Sequence, residues 1–212
     1  MSDSSPALRE PWPTIARQRE GVTFGVWVFL ATEILFFGGL FLGYAVYRHM
    51  YPEAFRAGMH ETDIFYGAMN TGLLLTSSMT MTVAVRSANL GYRRLVVFCL
   101  ALTALLGIGF LIGKGFEYND DLIKGYFPGP HFPIPEVQAQ IFWSFYWVMT
   151  GIHAVHLSIG IGLIIVTIIL TLRGKLTTES GTFTAISLYW HFVDMVWITL
   201  VPLIYLIDRS KP

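Results

Sequence analysis

Five long apolar segments within 212 residues limit this chain more than any other feature. They cover residues 22–47, 64–85, 95–113, 141–172 and 183–207. A helix needs about 20 such residues to cross the hydrocarbon layer of a bilayer. That layer has no water to satisfy backbone N–H and C=O groups, so apolar runs of this length are expected as helices, which satisfy their own. The fold class expected is all-α: a polytopic membrane helix bundle of five transmembrane helices. The division expected is a polar N-terminal tail at 1–21, one five-helix transmembrane domain at 22–207 and a C-terminal tail at 208–212. The first, fourth and fifth runs exceed the required length, which implies tilt or extension beyond the hydrocarbon without fixing an angle. Thr150-Gly151 is a weak breaker inside the fourth run, and a break there would leave two pieces too short to span.

Charge supports the same class. Only 13% of residues are charged, against about 25% in an ordinary globular domain, and the formal net charge is zero. A nucleic-acid partner would call for a basic patch or stripe, so none is expected. Cys99 is the single cysteine, which leaves neither a disulfide framework nor a thiolate metal cluster. The polar residues 1–20, with Pro6, Pro11 and Pro13, do not read as a cleavable signal peptide. Lys and Arg near the ends of the runs set orientation. Arg9, Arg17, Arg19, Arg86, Arg93, Arg94, Arg173 and Lys175 fall on one side; Arg48, Arg56, Lys124, Arg209 and Lys211 fall on the other, with Lys114 at a helix end. The excess predicts a cytoplasmic N-terminus and a C-terminus on the far, periplasmic side.

No internal repeat is visible, which argues against the inverted symmetry common in secondary transporters. The one long connection, 115–140, carries Pro128, Pro130, Pro133 and Pro135. These stiffen it into an extended course, either as a docking surface or as a rigid cover over helix ends. Gly39 with Gly43 and Gly109 with Gly113 match the small-xxx-small packing pattern, and Gly160 and Gly162 add to it. Tyr44, Tyr47, Trp143, Tyr146, Trp147 and Tyr205 cluster near run ends, as an interfacial aromatic belt would.

The candidate functional residues are the ionisable side chains set among apolar ones, where an acid costs about 2.5–3.5 kcal/mol on insertion scales. Glu33 stands near the middle of the first run. It is read either as a proton-relay carboxyl, metal ligand or lipid-facing acid, or as a neutral acid bonded to a neighbouring helix. His153 and His156 share a face of the fourth run, and His191 and Asp194 share a face of the fifth, where each can partner the other or a neighbouring helix. Together these four make a conceivable His₃-carboxylate metal set, although interhelical hydrogen bonding is the simpler role. Lys114 and Glu117 are three apart and read as a surface pair worth little. Asn70, Thr71, Thr76, Ser77, Ser78, Thr80 and Thr82 give the second run many hydroxyls for carbonyls or neighbouring helices.

Three segments carry a family resemblance: Thr32-Glu33-Ile34-Leu35-Phe36-Phe37, Thr150-Gly151-Ile152-His153-Ala154-Val155-His156 and Tyr189-Trp190-His191-Phe192-Val193-Asp194-Met195-Val196-Trp197. In that order they resemble subunit III of the haem-copper terminal oxidases (cytochrome c oxidase subunit 3), in its short five-helix bacterial form. Glu117-Tyr118 is similar to the family's glutamate-aromatic segment. The resemblance implies a multi-pass protein of the bacterial plasma (inner) membrane with no catalytic residue and no metal of its own; haem and copper would lie in partner subunits. It implies packing against oxidase subunit I, with subunit II and a small subunit IV as further partners, and bound phospholipid. Such a subunit would support proton uptake and oxygen access in a proton-pumping, oxygen-reducing complex. Glu33, Glu117, His153, His156, His191 and Asp194 would then be structural or lipid-contacting polar positions. Two alternatives stay open: an accessory subunit of a nitric oxide reductase or another respiratory complex, and an intramembrane metal-dependent enzyme.

Overall fold

The computed structural model describes residues 14–130, 132–174, 176 and 181–206, and among them there is no strand. Six α-helices follow one another: α1 (Ile15–Met50), α2 (Pro52–His60), α3 (Ile64–Asn89), α4 (Arg93–Ile123), α5 (Ala139–Leu172) and α6 (Thr182–Val201). A π-helical turn, Pro202–Leu206, closes the described chain. The five long helices run alternately up and down. The end of the bundle that holds α2 and the 125–138 connection is called distal below. Among the described residues four helical stretches, Ala16–Met50, Arg93–Ile123, Ala139–Leu172 and Thr182–Leu206, are long and apolar enough to cross a membrane.

Local chemistry sets the helix ends. Thr14 caps α1 by accepting the Arg17 N–H (3.3 Å), and Asp63 caps α3 by accepting the Phe65 N–H (2.8 Å), each satisfying a donor the first turn cannot. Pro52 opens α2, where its missing N–H costs nothing. Helices α4 and α5 stop at Gly125 (φ 81°) and Gly174 (φ 69°), left-handed positions that a side chain would strain. The Arg93 guanidinium, at the start of α4, donates to the Thr171 and Leu172 carbonyls that end α5. One cation thereby ties two antiparallel helices and offsets the negative end of a helix dipole.

The short α2 is amphipathic and was not anticipated from the sequence. Its Phe55, Gly58 and Met59 are buried, with Phe55 edge-on to Phe142 of α5 (5.7 Å). The proline-bearing connection lies across the helix ends: Phe132 and Ile134 pack on the core, and Trp147 Nε1 donates to the Tyr126 carbonyl (3.1 Å). The glycine pairs behave unequally. A Cβ at Gly113 would stand 2.7 Å from the Asn70 amide oxygen, and one at Gly160 3.1 Å from the Trp190 ring, whereas Gly39 and Gly162 meet nothing within 4 Å.

Candidate functional site

Glu33 sits halfway along the 36-residue α1, and His156 halfway along α5. Glu33 Oε2 lies 3.0 Å from His156 Nε2, and His156 Nδ1 lies 2.9 Å from the Ile152 carbonyl oxygen. A carbonyl only accepts, so Nδ1 must carry a hydrogen. Nε2 then either accepts a proton from the neutral acid or donates one to the carboxylate. In both cases the pair shares one proton and has no net charge. Tyr189 donates to the His156 carbonyl (2.9 Å), and the Phe37 ring meets the imidazole edge-on (5.2 Å). Both side chains remain 17% exposed, in the wall of a cleft of about 410 Å³ between α1, α5 and α6 that is otherwise lined mainly by apolar residues such as Phe29, Ile159 and Leu163.

The other sequence-marked residues go elsewhere. His153 is fully buried between Phe110 (5.5 Å) and Trp197 (5.1 Å), and neither ring nitrogen has a hydrogen-bond partner among the described residues. His153 and His156 therefore meet different neighbours despite their spacing. His191 does not partner Asp194. The Ser78 hydroxyl lies 2.6 Å from His191 Nδ1, and the Thr82 hydroxyl, which donates to the Ser78 carbonyl, lies 3.4 Å from Nε2. Both ring nitrogens of His191 are thus met by hydroxyls of α3. Asp194 is 3% exposed and has the Ser78 hydroxyl beside it. No three His, Cys, Asp or Glu side chains converge among the described residues, so the His₃-carboxylate set anticipated from spacing is not assembled.

Glu117 corrects the sequence reading most. Its pairing with Lys114 (3.0 Å) is no surface contact, since both residues are only 2% exposed. Helix α4 continues past Gly113 and carries the pair, with Asp121, into an aromatic enclosure. Lys114 Nζ donates to the hydroxyls of Tyr146 (3.1 Å) and Tyr205 (2.9 Å) and lies over the rings of Tyr146 (4.5 Å) and Tyr118 (5.0 Å), a cation–π setting that helps a desolvated ammonium. Tyr205 donates to Glu117 Oε1 (2.5 Å), and the Tyr146 hydroxyl reaches both Glu117 Oε1 (2.9 Å) and Asp121 Oδ2 (2.6 Å). Above this cluster, Tyr126 donates to Glu61; burial and then the adjoining carboxylate push its phenol above the usual tyrosine range.

Comparison with known proteins shows the family. The sequence pattern of the cytochrome c oxidase subunit III family matches residues 14–208. This chain belongs to the cytochrome c oxidase subunit III family. It is 33% identical over 190 residues to the cytochrome c oxidase subunit 3 of Corynebacterium diphtheriae, covering 88% of each chain. Identity is 34% to the cytochrome c oxidase subunit 3 of Thermostichus vulcanus, with 87% of each covered. The cytochrome bo(3) ubiquinol oxidase subunit 3 of Pseudomonas aeruginosa is 29% identical over 86% of this chain and 83% of its own length.

In this subunit III chain the aromatic side chains do more than mark an interface. Tyr44, Trp143, Tyr146 and Tyr205 are buried, and Tyr44 donates to the Leu203 carbonyl (2.6 Å). Tyr146 and Tyr205 enclose Lys114, and the burial of all four overturns the belt reading for them; Tyr47 stays exposed. Sequence reasoning missed Asp121, Tyr146 and Tyr205 as members of one polar site. The available signal was the i, i+3, i+7 spacing of Lys114, Glu117 and Asp121, which places all three on one helix face.

Proposed function

We propose that this chain is a non-catalytic core subunit of a proton-pumping haem-copper oxidase in a bacterial plasma membrane, working with cytochrome c or quinol as donor. It packs against the oxidase's subunit I, with subunit II and a small subunit IV as further neighbours. Its own residues hold phospholipid and keep proton uptake and oxygen access to subunit I dependable over many turnovers. Haem and copper belong to those partners. In this reading α3 is the fifth span, with the N-terminus cytoplasmic, the C-terminus periplasmic and the transmembrane domain at 22–207. Its 26 residues reach roughly 39 Å at 1.5 Å per residue. Its hydroxyls bond their own helix, as Thr71 does to Gly67, Thr76 to Gly72 and Ser87 to Val83, which removes much of their cost in lipid.

The observation that carries the proposal is the Glu33–His156 pair, placed at mid-height in an apolar cleft and neutralised internally. An acid held this way is compatible with lipid acyl chains on one side and a packed bundle on the other. Such a pair supports cohesion and access; it brings no redox partner of its own. The test is Glu33→Ala in the purified oxidase. Initial oxygen consumption should stay close to wild type, while the number of turnovers before inactivation falls and lipid recovered by mass spectrometry declines. Loss of the first turnover would place Glu33 in the chemistry and end this reading.

A further inference from the structure

The distal cluster has more hydrogen-bonding contacts than its ionised groups have protons. Lys114 offers three, directed at Tyr146, Tyr205 and Glu117 Oε2. Tyr205 spends its own proton on Glu117 Oε1. Tyr146 is left with one hydroxyl proton and two carboxylate oxygens in reach, Glu117 Oε1 at 2.9 Å and Asp121 Oδ2 at 2.6 Å. One proton cannot serve both. With both acids ionised, one contact would set two lone pairs against each other and the cluster would carry a net negative charge. Both are costly where Glu117 is 2% and Asp121 5% exposed. A proton on Asp121 removes both costs: Asp121 donates to the Tyr146 oxygen, Tyr146 donates to Glu117, and the charges sum to zero.

We infer that Asp121 is a proton-binding site, holding one exchangeable proton against Tyr146, and that this proton keeps the C-terminal turn clasped to α4 and α5. The groups facing it are Lys114, Glu117, Tyr118 and Lys124 from its own helix, Tyr146 from α5, and Tyr205 from the π-helical turn. Tyr126 approaches from the connection, its N–H on the Asp121 carbonyl (2.9 Å). When the proton leaves, two carboxylates compete for Tyr146 and Lys114, and Tyr205 loses part of its hold. The inference uses none of the Glu33 cleft, so it stands or falls apart from the functional proposal.

Infrared spectroscopy of the full chain in its purified membrane complex tests this directly. The wild type should show, in mildly acidic solution, a C=O stretch of a protonated carboxylic acid that is missing from D121N and that fades in the wild type as pH rises towards neutrality. Over the same range, hydrogen-exchange protection of residues 203–206 should fall in the wild type, after correction for intrinsic rates, and stay constant in D121N. E117Q is the second variant, usable if D121N fails to assemble. It leaves Lys114 as sole counter-charge for an ionised Asp121, so it too should lose the band. Persistence of the band in D121N, or in E117Q if that variant alone assembles, or its absence from the wild type, overturns the inference.

Discussion

At mid-height, Glu33 and His156 neutralise each other with one shared proton and stay partly exposed in an open cleft. At the distal end, Lys114, Glu117 and Asp121 are sealed, and they need two phenol hydroxyls and a cage of rings besides. The difference follows from depth of burial. A pair that touches the edge of the bundle needs only internal neutrality, whereas an ammonium removed from all solvent must have each of its protons received. The first arrangement tolerates disturbance, and the second does not.

The largest expected effect therefore comes from breaking the sealed cluster. Lys114→Met strands the buried Glu117 carboxylate and should cost about 3–5 kcal/mol, the penalty for removing one member of a buried pair. Thermal unfolding in detergent measures it. Adding Glu117→Gln to that variant should recover a large part of the loss, because it removes the charge that Met left unpaired. No recovery would mean that the ammonium contributes chiefly by packing, and the contrast between the two sites would lose its electrostatic basis.

The open pair should respond more weakly. In a double-mutant cycle, Glu33→Ala and His156→Ala should show a coupling energy of about 0.5–3 kcal/mol, at the lower end because both side chains are partly exposed. A coupling above that of the Lys114–Glu117 cycle would reverse the comparison.

How far each site was legible in the sequence follows the same division. Glu33 and His156 stand out because an ionisable residue in an apolar run has few neighbours to hide among. Helical spacing predicted shared faces, yet it could not say which neighbour each face meets. His153 and His156 thus part company, and His191 turns to Ser78 and Thr82 on α3 rather than to Asp194. The distal cluster was harder to see. The apolar run stops near residue 113 while the helix continues to Ile123, and burial of Lys114 and Glu117 comes from Tyr146 and Tyr205, 32 and 91 residues beyond Lys114. Tyrosines near run ends fit a lipid interface equally well by composition. Only tertiary packing distinguishes a belt from a cage.

The smallest expected effect lies just outside the cluster, where Tyr126 donates to Glu61 across the connection. Tyr126→Phe removes one neutral-to-charged hydrogen bond and keeps the ring stacked on Trp143 (4.5 Å). The loss should be about 1.5 kcal/mol or less, because Glu61 can turn to water. With burial raising the phenol, the folded state binds the proton more tightly than the unfolded chain. The stabilisation is then complete below the ordinary tyrosine range, around pH 10, and declines only as pH rises through it. The wild-type and Tyr126→Phe unfolding curves should accordingly differ by a constant amount from pH 6 to pH 9 (about one unit below that range) and converge above it. A difference that grows on alkalinisation would mean that the Tyr126 phenolate is favoured in the fold, and the distal end would have to be more open to water than its packed rings imply.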